Sequence, residues 1–400
     1  MATVGDVERA QLREARREIR RRQVKRRRAT ALAIVAGIIL VSVFIGKLVS
    51  SPGSVSLAPV ESAAVVSPFH RPLPAEIRGV HVSLGLANKL STYIALRKQG
   101  LNTIELDVKD ETGALGFTNG APKLAVEDGA ARPYYDPAKV AARVHKAGLY
   151  LIGRVVTFED PVTSVAHPDL AIRTKSGGVW RTTAGLGWLN PYSKAAWRYD
   201  VDVAAAAAKA GFDEIQFDYV RFPSDGDLAD IRYPGPHTQP RGETIAAFLS
   251  YAAGRLHPLG VRVSADVFGL SANHDLGVGQ YPGQIGEVVD TIYPMTYPSH
   301  YGSGEYNLPD PNADPGKTVS FSLRDFHSKL IGTKATVVPW LQDFSIGQHY
   351  TLADVRAQVD AARDWNAGGF MLWNADGVYN AKALAPGPAP QLPPLYPAHL

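Results

Sequence analysis

The strongest constraint on the fold is an alternation of extended and helical patterns between residues 77 and 382. Extended runs fall at residues 78–84, 103–109, 150–158, 214–222, 262–269, 291–297, 336–343 and 369–374. Helical patterns at 87–99, 137–147, 195–210, 243–257, 317–329 and 352–366 lie between most of them. Parallel neighbours need a crossover of a dozen or more residues, usually a helix, so this spacing predicts a parallel sheet. Eight such units predict an α/β fold closed into a (β/α)8 TIM barrel. Gly100, Gly148, Gly211, Gly260 and Gly368 stand where helix C-terminal glycines belong. An open doubly wound sheet is the alternative, but the count of eight favours closure. Neither a Gly-rich dinucleotide fingerprint after the first run nor a phosphate-cradling Gly-Lys-Ser/Thr loop is present.

The flanks have a different character. Residues 1–28 form a basic segment, expected to be cytoplasmic, and 29–49 are apolar except for Thr30, Ser42 and Lys47. About twenty apolar residues span a bilayer as a helix, and a cationic flank stays inside. The expectation is a single-pass signal anchor that leaves the barrel extracytoplasmic, with residues 50–76 as a flexible linker and 383–400 as a Pro-rich tail. Secretion after cleavage near Ser56-Leu57-Ala58 is the alternative. The formal charge of +4 follows this division: 12 of the 42 Lys/Arg and 4 of the 38 Asp/Glu lie in residues 1–49. The remainder is slightly acidic, without the basic stripe of a nucleic-acid binder. No cysteine is present, which excludes disulfides, thiolate catalysis and Cys-ligated zinc.

Chemistry in a parallel barrel sits at the carboxyl ends of the strands. In the fourth run, Ile215, Phe217 and Tyr219 share one face, while Glu214, Gln216 and Asp218 share the other. The same alternation assigns His81, Ser83, Glu105, Asp107, Lys109, Arg154, Ser264 and Asp266 to the interior, with Trp340, Gln342, Asp343, Trp373 and Asn374 at the ends of the last two strands. A barrel filled only for stability carries Val, Ile and Leu there, and buried charge is costly unless paired. Asp218 and Asp266 lie at matching depth on adjacent strands. Two carboxyls across one bond are the minimum equipment for glycoside hydrolysis, one ionised and one protonated. Asp107 and Asp343 are reserve carboxylates, whereas Asp213, Glu214 and Asp290 begin their strands and are assigned to structure. Lys109 and Arg154 either hold Asp218 ionised, bind sugar hydroxyls or balance charge. Long post-strand loops at 110–135, 159–194 and 298–316 crowd one rim. They and the end of the sixth run bring Trp180, Trp188, Tyr192, Tyr297, His300 and Tyr301, rings that could stack on sugar faces. No His-x-x-x-His or His-Glu-x-x-His spacing marks a metal, so no metal or cofactor is expected.

Four ordered segments carry a resemblance: residues 105–113 (Glu-Leu-Asp-Val-Lys-Asp-Glu-Thr-Gly), 213–223 (Asp-Glu-Ile-Gln-Phe-Asp-Tyr-Val-Arg-Phe-Pro), 293–301 (Tyr-Pro-Met-Thr-Tyr-Pro-Ser-His-Tyr) and 339–344 (Pro-Trp-Leu-Gln-Asp-Phe). Across roughly residues 77–380, the chain resembles the bacterial family of putative glycosyl hydrolase domains. The resemblance implies a TIM barrel with a glycosidase-like site. In the wider alpha-amylase-like barrels an Asp follows strand four, a Glu strand five and an Asp strand seven. Asp218 and Asp343 match the first and third, while Asp266 stands where the Glu would be. The resulting expectation is a glycoside hydrolase acting on a polysaccharide. Asp218 is nucleophile or base, Asp266 general acid and Asp343 an auxiliary carboxylate. Asp107, Lys109, Arg154, Arg221, Tyr297, His300, Trp340, Gln342 and Trp373 shape the sugar pocket. The competing expectation is a non-catalytic carbohydrate-binding or wall-scaffold barrel. A metal-dependent deacetylase lacks the Asp/His cluster it needs.

Overall fold

The computed structural model describes residues 69–387. The expected basic segment, the anchor at 29–49, most of the linker and the end of the Pro-rich tail lie outside them. Among the described residues no helix is long and apolar enough to cross a membrane.

Eight parallel staves close into a barrel: β1 (Ile77–Val82), β2 (Thr103–Lys109), β3 (Tyr150–Val156), β4 (Glu214–Asp218), β5 (Arg262–Phe268), β6 (Thr291–Met295), β7 (Thr336–Val337 and Trp340–Gln342) and β8 (Gly369–Trp373). Each pairs with its neighbours in chain order, and β8 returns to β1 through Ile77↔Gly369 and Val80↔Leu372. β7 is interrupted where Pro339 cannot donate to a ladder. Both of its halves still pair with β6, through Thr291↔Thr336 and Met295↔Trp340. The helices are α1 (Leu90–Ala95), α2 (Pro137–Lys146), α3 (Lys194–Ala210), α4 (Arg241–Leu256), α5 (Pro282–Gly286), α6 (Pro315–Leu330) and α7 (Leu352–Asp364). α3 begins at Ser193, whose side chain accepts from Ala196 N, and stops at Gly211, whose φ of +105° few other residues tolerate. At the end of α7, Asn366 takes the positive φ rather than the expected Gly368.

Outward residues of the staves, such as Ile104, Leu106, Ile215, Phe217, Val263 and Val267, are fully buried against the helices. Each such side chain contributes roughly 1.5–3 kcal/mol. The foot of the barrel is filled by Ile77, Tyr150, Ile152, Tyr293, Val338 and Met371. Glu214 lies among them as a structural acid, accepting from the Tyr150 and Tyr293 hydroxyls at 3.0 Å each. Above this plug the inward residues turn polar. Over the rim, the loops after β3 and β4 are clipped together by a two-residue antiparallel pair, Arg173–Thr174 with Ile231–Arg232.

Candidate active site

Arg154 on β3 organises the upper barrel. Its Nε and Nη2 both donate to Asp218 Oδ2, at 2.9 and 2.7 Å, and Nη1 donates to Asp107 Oδ1 at 2.8 Å and Glu111 Oε2 at 3.4 Å. The register sets this fork, because Asp107 pairs with Arg154 across β2–β3 and Val156 with Asp218 across β3–β4. The other oxygen of Asp218 accepts from the Tyr219 backbone N–H at 2.7 Å.

Asp266, one stave further, has different surroundings. Its Oδ1 accepts from Gln216 Nε2 at 2.6 Å and Trp340 Nε1 at 2.7 Å, both neutral donors. Burial pushes its pKa well above the usual carboxylate range, and the charge of Asp218 adds to this against the pull of Arg154. The two aspartates face one cavity of about 560 Å³ at the carboxyl ends of the staves, walled by Tyr297, His300, Trp340 and Trp373 and also lined by Arg154 and Arg221. A second hollow of about 620 Å³ lies on the flank beside Asn190, Lys194 and Trp197, and only Asp169 brings a carboxyl to it. Of these two hollows, only the first is lined by two carboxyls.

Below the fork, Glu105 Oε2 meets His81 Nδ1 at 2.5 Å and His81 Nε2 faces Asp107 Oδ2 at 3.7 Å. Burial raises the Glu105 pKa to about 8 and lowers that of His81 to about 4. Burial also raises Asp107, to about 6, against the pull of His81 and Arg154. At neutral pH the arrangement is a protonated Glu105 donating to Nδ1 of a neutral His81 whose Nε2–H points at Asp107. The folded state thus keeps a proton on Glu105 that an unfolded chain, with the ordinary value of 4.5, has released. The resulting stabilisation is complete below about 4.5 and is lost as the pH climbs through about 8. Glu105→Gln retains the donor without the titration. Its melting temperature is expected to fall less than that of the wild type between pH 5 and pH 9, as thermal melts at the two pH values would show. Equal falls would contradict the protonated Glu105.

Several sequence-predicted residues lie elsewhere. Lys109 is fully buried but on the outer side of the barrel, bonded to Asp160 Oδ2 at 3.0 Å, Asp200 Oδ1 at 2.7 Å and Thr157 O at 3.2 Å. A register shift in β2 causes this. Asp107 and Lys109 face the consecutive residues Arg154 and Val155, so strict alternation fails after Asp107. Asp343 has both oxygens occupied by Asn380, through N and Nδ2 at 2.7 Å each, which ties the chain after β8 to the end of β7. Gln342 accepts from Ser299 N at 3.0 Å and so anchors the loop after β6. Neither Asp343 nor Gln342 lines the cavity. Trp180 and Trp188 are buried packing residues that do not line this cavity.

Sequence alternation missed Tyr219 and Phe268 as cavity walls, whereas Tyr301, expected as a rim ring, does line the cavity. Tyr219 has φ +50°, which returns its ring to the cavity side and breaks the two-residue period. No local sequence signal foretells a positive φ at a tyrosine.

Comparison with known proteins is consistent with this architecture. No curated protein matches the chain. Similar solved structures include a hypothetical protein from Ruminiclostridium thermocellum ATCC 27405, with 36% identity over 47% of this chain and 97% of that one and a TM-score of 0.43. The PgaB (BpsB) glycoside hydrolase domain from Bordetella bronchiseptica has 12% identity over 76% of this chain and 95% of that one, with a TM-score of 0.54. The polyextremophilic beta-galactosidase from the Antarctic haloarchaeon Halorubrum lacusprofundi has 12% identity over 76% and 56%, with a TM-score of 0.52. The last two share the barrel fold. The family described as "Putative glycosyl hydrolase domain" matches residues 79–379, nearly the whole barrel, and the chain therefore belongs to that family.

Proposed function

We propose that this glycosidase-like barrel is a glycoside hydrolase in which Asp218 is the ionised carboxylate and Asp266 the general acid. The observation that carries the reading is the contrast between two carboxyls facing one cavity. Asp218 takes two guanidinium N–H groups on one oxygen, whereas Asp266 takes only neutral donors in a buried setting. Environments that separate two acids in this way assign the acid and base roles of a glycosidase. Asp266 gives its proton to the glycosidic oxygen as the bond to the anomeric carbon breaks. Asp218 stabilises the positive charge that develops on the sugar, either by bonding to it or by directing water. Tyr297, Trp340 and Trp373 offer flat apolar faces to the C–H surface of a pyranose. On this reading the substrate is a polysaccharide outside the membrane, and residues 29–49 tether the barrel there.

A leaving-group series tests the acid. Asp266→Asn is expected to slow hydrolysis of unactivated oligosaccharides by about 10²–10⁴-fold. It should slow dinitrophenyl glycosides much less, because their leaving group needs no proton. Equal loss on both substrates would remove Asp266 from the acid role. Glycan binding without release of reducing ends, unaltered in both aspartate variants, would favour a binding barrel.

A further inference from the structure

The cavity holds two buried arginines in opposite states. Arg154 is clamped by three carboxylates. Arg221, only 8% exposed, forms no ion pair among the described residues. Its Nη1 donates to Phe222 O at 3.2 Å and Ser224 Oγ at 3.1 Å. The guanidinium has five N–H donors, and those on Nε and Nη2 meet no acceptor among the described residues. Aromatic rings hold the group in place: its centre lies 5.0 Å from the Trp188 ring, 4.9 Å from Tyr219 and 4.8 Å from Phe268. Such contacts offset part of the cost of burial but use none of the free donors. A cation this dry and unpaired is expensive, and burial pulls its pKa down. The charges of Asp218, Glu159 and Asp225 oppose that pull without forming an ion pair with it, and Asp218 is bonded to Arg154 instead.

We propose that Arg221 recognises a carboxylate on the substrate, so that the site takes a sugar residue bearing an acid group, as in a uronic-acid glycan. This deepens the glycoside hydrolase reading and rests on it. A planar carboxylate matches the guanidinium fork with two parallel hydrogen bonds. Its single charge replaces the missing counter-ion in a cavity whose aromatic walls receive the rest of the ring. The rings of Phe268 and Tyr219 lie against the fork, so the pocket is formed before substrate arrives.

Binding, not turnover, gives the test, which keeps it independent of the hydrolase assignment. Calorimetry on the full-length chain would compare oligogalacturonides and oligoglucuronides with neutral galacto- and gluco-oligosaccharides of equal length and linkage. The expected result is tighter binding of at least one acidic series by about 10- to 100-fold. Arg221→Gln should weaken the acidic series far more than the neutral one and so remove that preference, and Arg221→Lys, which keeps charge without the fork, should fall between. The wild-type comparison alone decides the matter if a variant fails to fold. Equal affinity for acidic and neutral series, or equal weakening of both in Arg221→Gln, would overturn the inference. Cleavage of neutral glycans with no acidic preference would overturn it while leaving the hydrolase reading intact. Arg221-dependent binding of uronic oligomers without cleavage would sustain it and remove that reading.

Discussion

Asp218→Asn is expected to lower turnover on a cleavable glycan by about 10⁴-fold or more while the barrel stays folded, since loss of a group acting directly on the reacting atoms removes this much or more. The substitution is nearly isosteric, so cavity shape is kept. What changes is charge and donor geometry. Asp218 Oδ2 accepts two N–H groups from Arg154 and Oδ1 accepts the Tyr219 N–H. An asparagine must point its own NH₂ at one of those donors, and the developing positive charge on the sugar loses its counter-charge. Arg154 keeps Asp107 and the weaker contact with Glu111, so the guanidinium is not stranded and the melting temperature should move by only a few degrees. A second variant separates the charge from its holder. In Arg154→Met, Asp218 remains but loses the two N–H donors that hold its Oδ2 in place, so turnover should fall although the carboxylate is still present. Full turnover in Asp218→Asn, measured as reducing ends per folded molecule, would end the assignment.

The fold was readable because its signals are local and repeated. Eight extended runs with helical spacers and helix-ending glycines leave few topologies besides a closed parallel barrel. The strand faces were readable for the same reason wherever backbone geometry stayed regular, which is why Glu105, Asp107, Arg154, Gln216, Asp218 and Asp266 meet inside. Alternation lost its meaning where the backbone departs from the strand period. The irregularity in β2 sends Lys109 outward, and the positive φ at Tyr219 brings a ring inward. Long-range partners were not readable at all. Asp343 looked like a third carboxylate at the end of β7. Nothing near it in sequence announces that Asn380, 37 positions on, takes up both of its oxygens. The unpaired state of Arg221 is of the same kind, because it depends on Asp218 of β4 and on Glu159 and Asp225 of the loops after β3 and β4 all forming no ion pair with it.

Lys109→Met should destabilise the barrel by about 3–5 kcal/mol without altering the chemistry of the molecules that remain folded. The ammonium lies between two buried aspartates at 3.0 and 2.7 Å, with Thr157 O as a third acceptor and the Tyr199 ring 5.0 Å away. Burial works to discharge the lysine, but the Asp160 and Asp200 charges prevail and raise its pKa. Methionine fills the volume and leaves both carboxylates without a cation. Asp160 still accepts from the Val162 and Thr163 backbone N–H groups. Asp200 has no such support: its Oδ2 is already buried without a partner. Burial holds the pKa of Asp200 at about 7 even with Lys109 pulling it down, so in the variant it should take up a proton. The stability loss should therefore be larger at pH 8 than at pH 5. A melting temperature roughly 6–10 °C lower is the expected size, with partial recovery in Lys109→Met combined with Asp200→Leu, where one stranded acid is gone. The value of kcat/KM per folded molecule should stay within about twofold of wild type, since Lys109 lies behind the barrel wall and exerts no contact on the cavity. A variant that melts normally but loses sugar affinity would instead return Lys109 to the pocket.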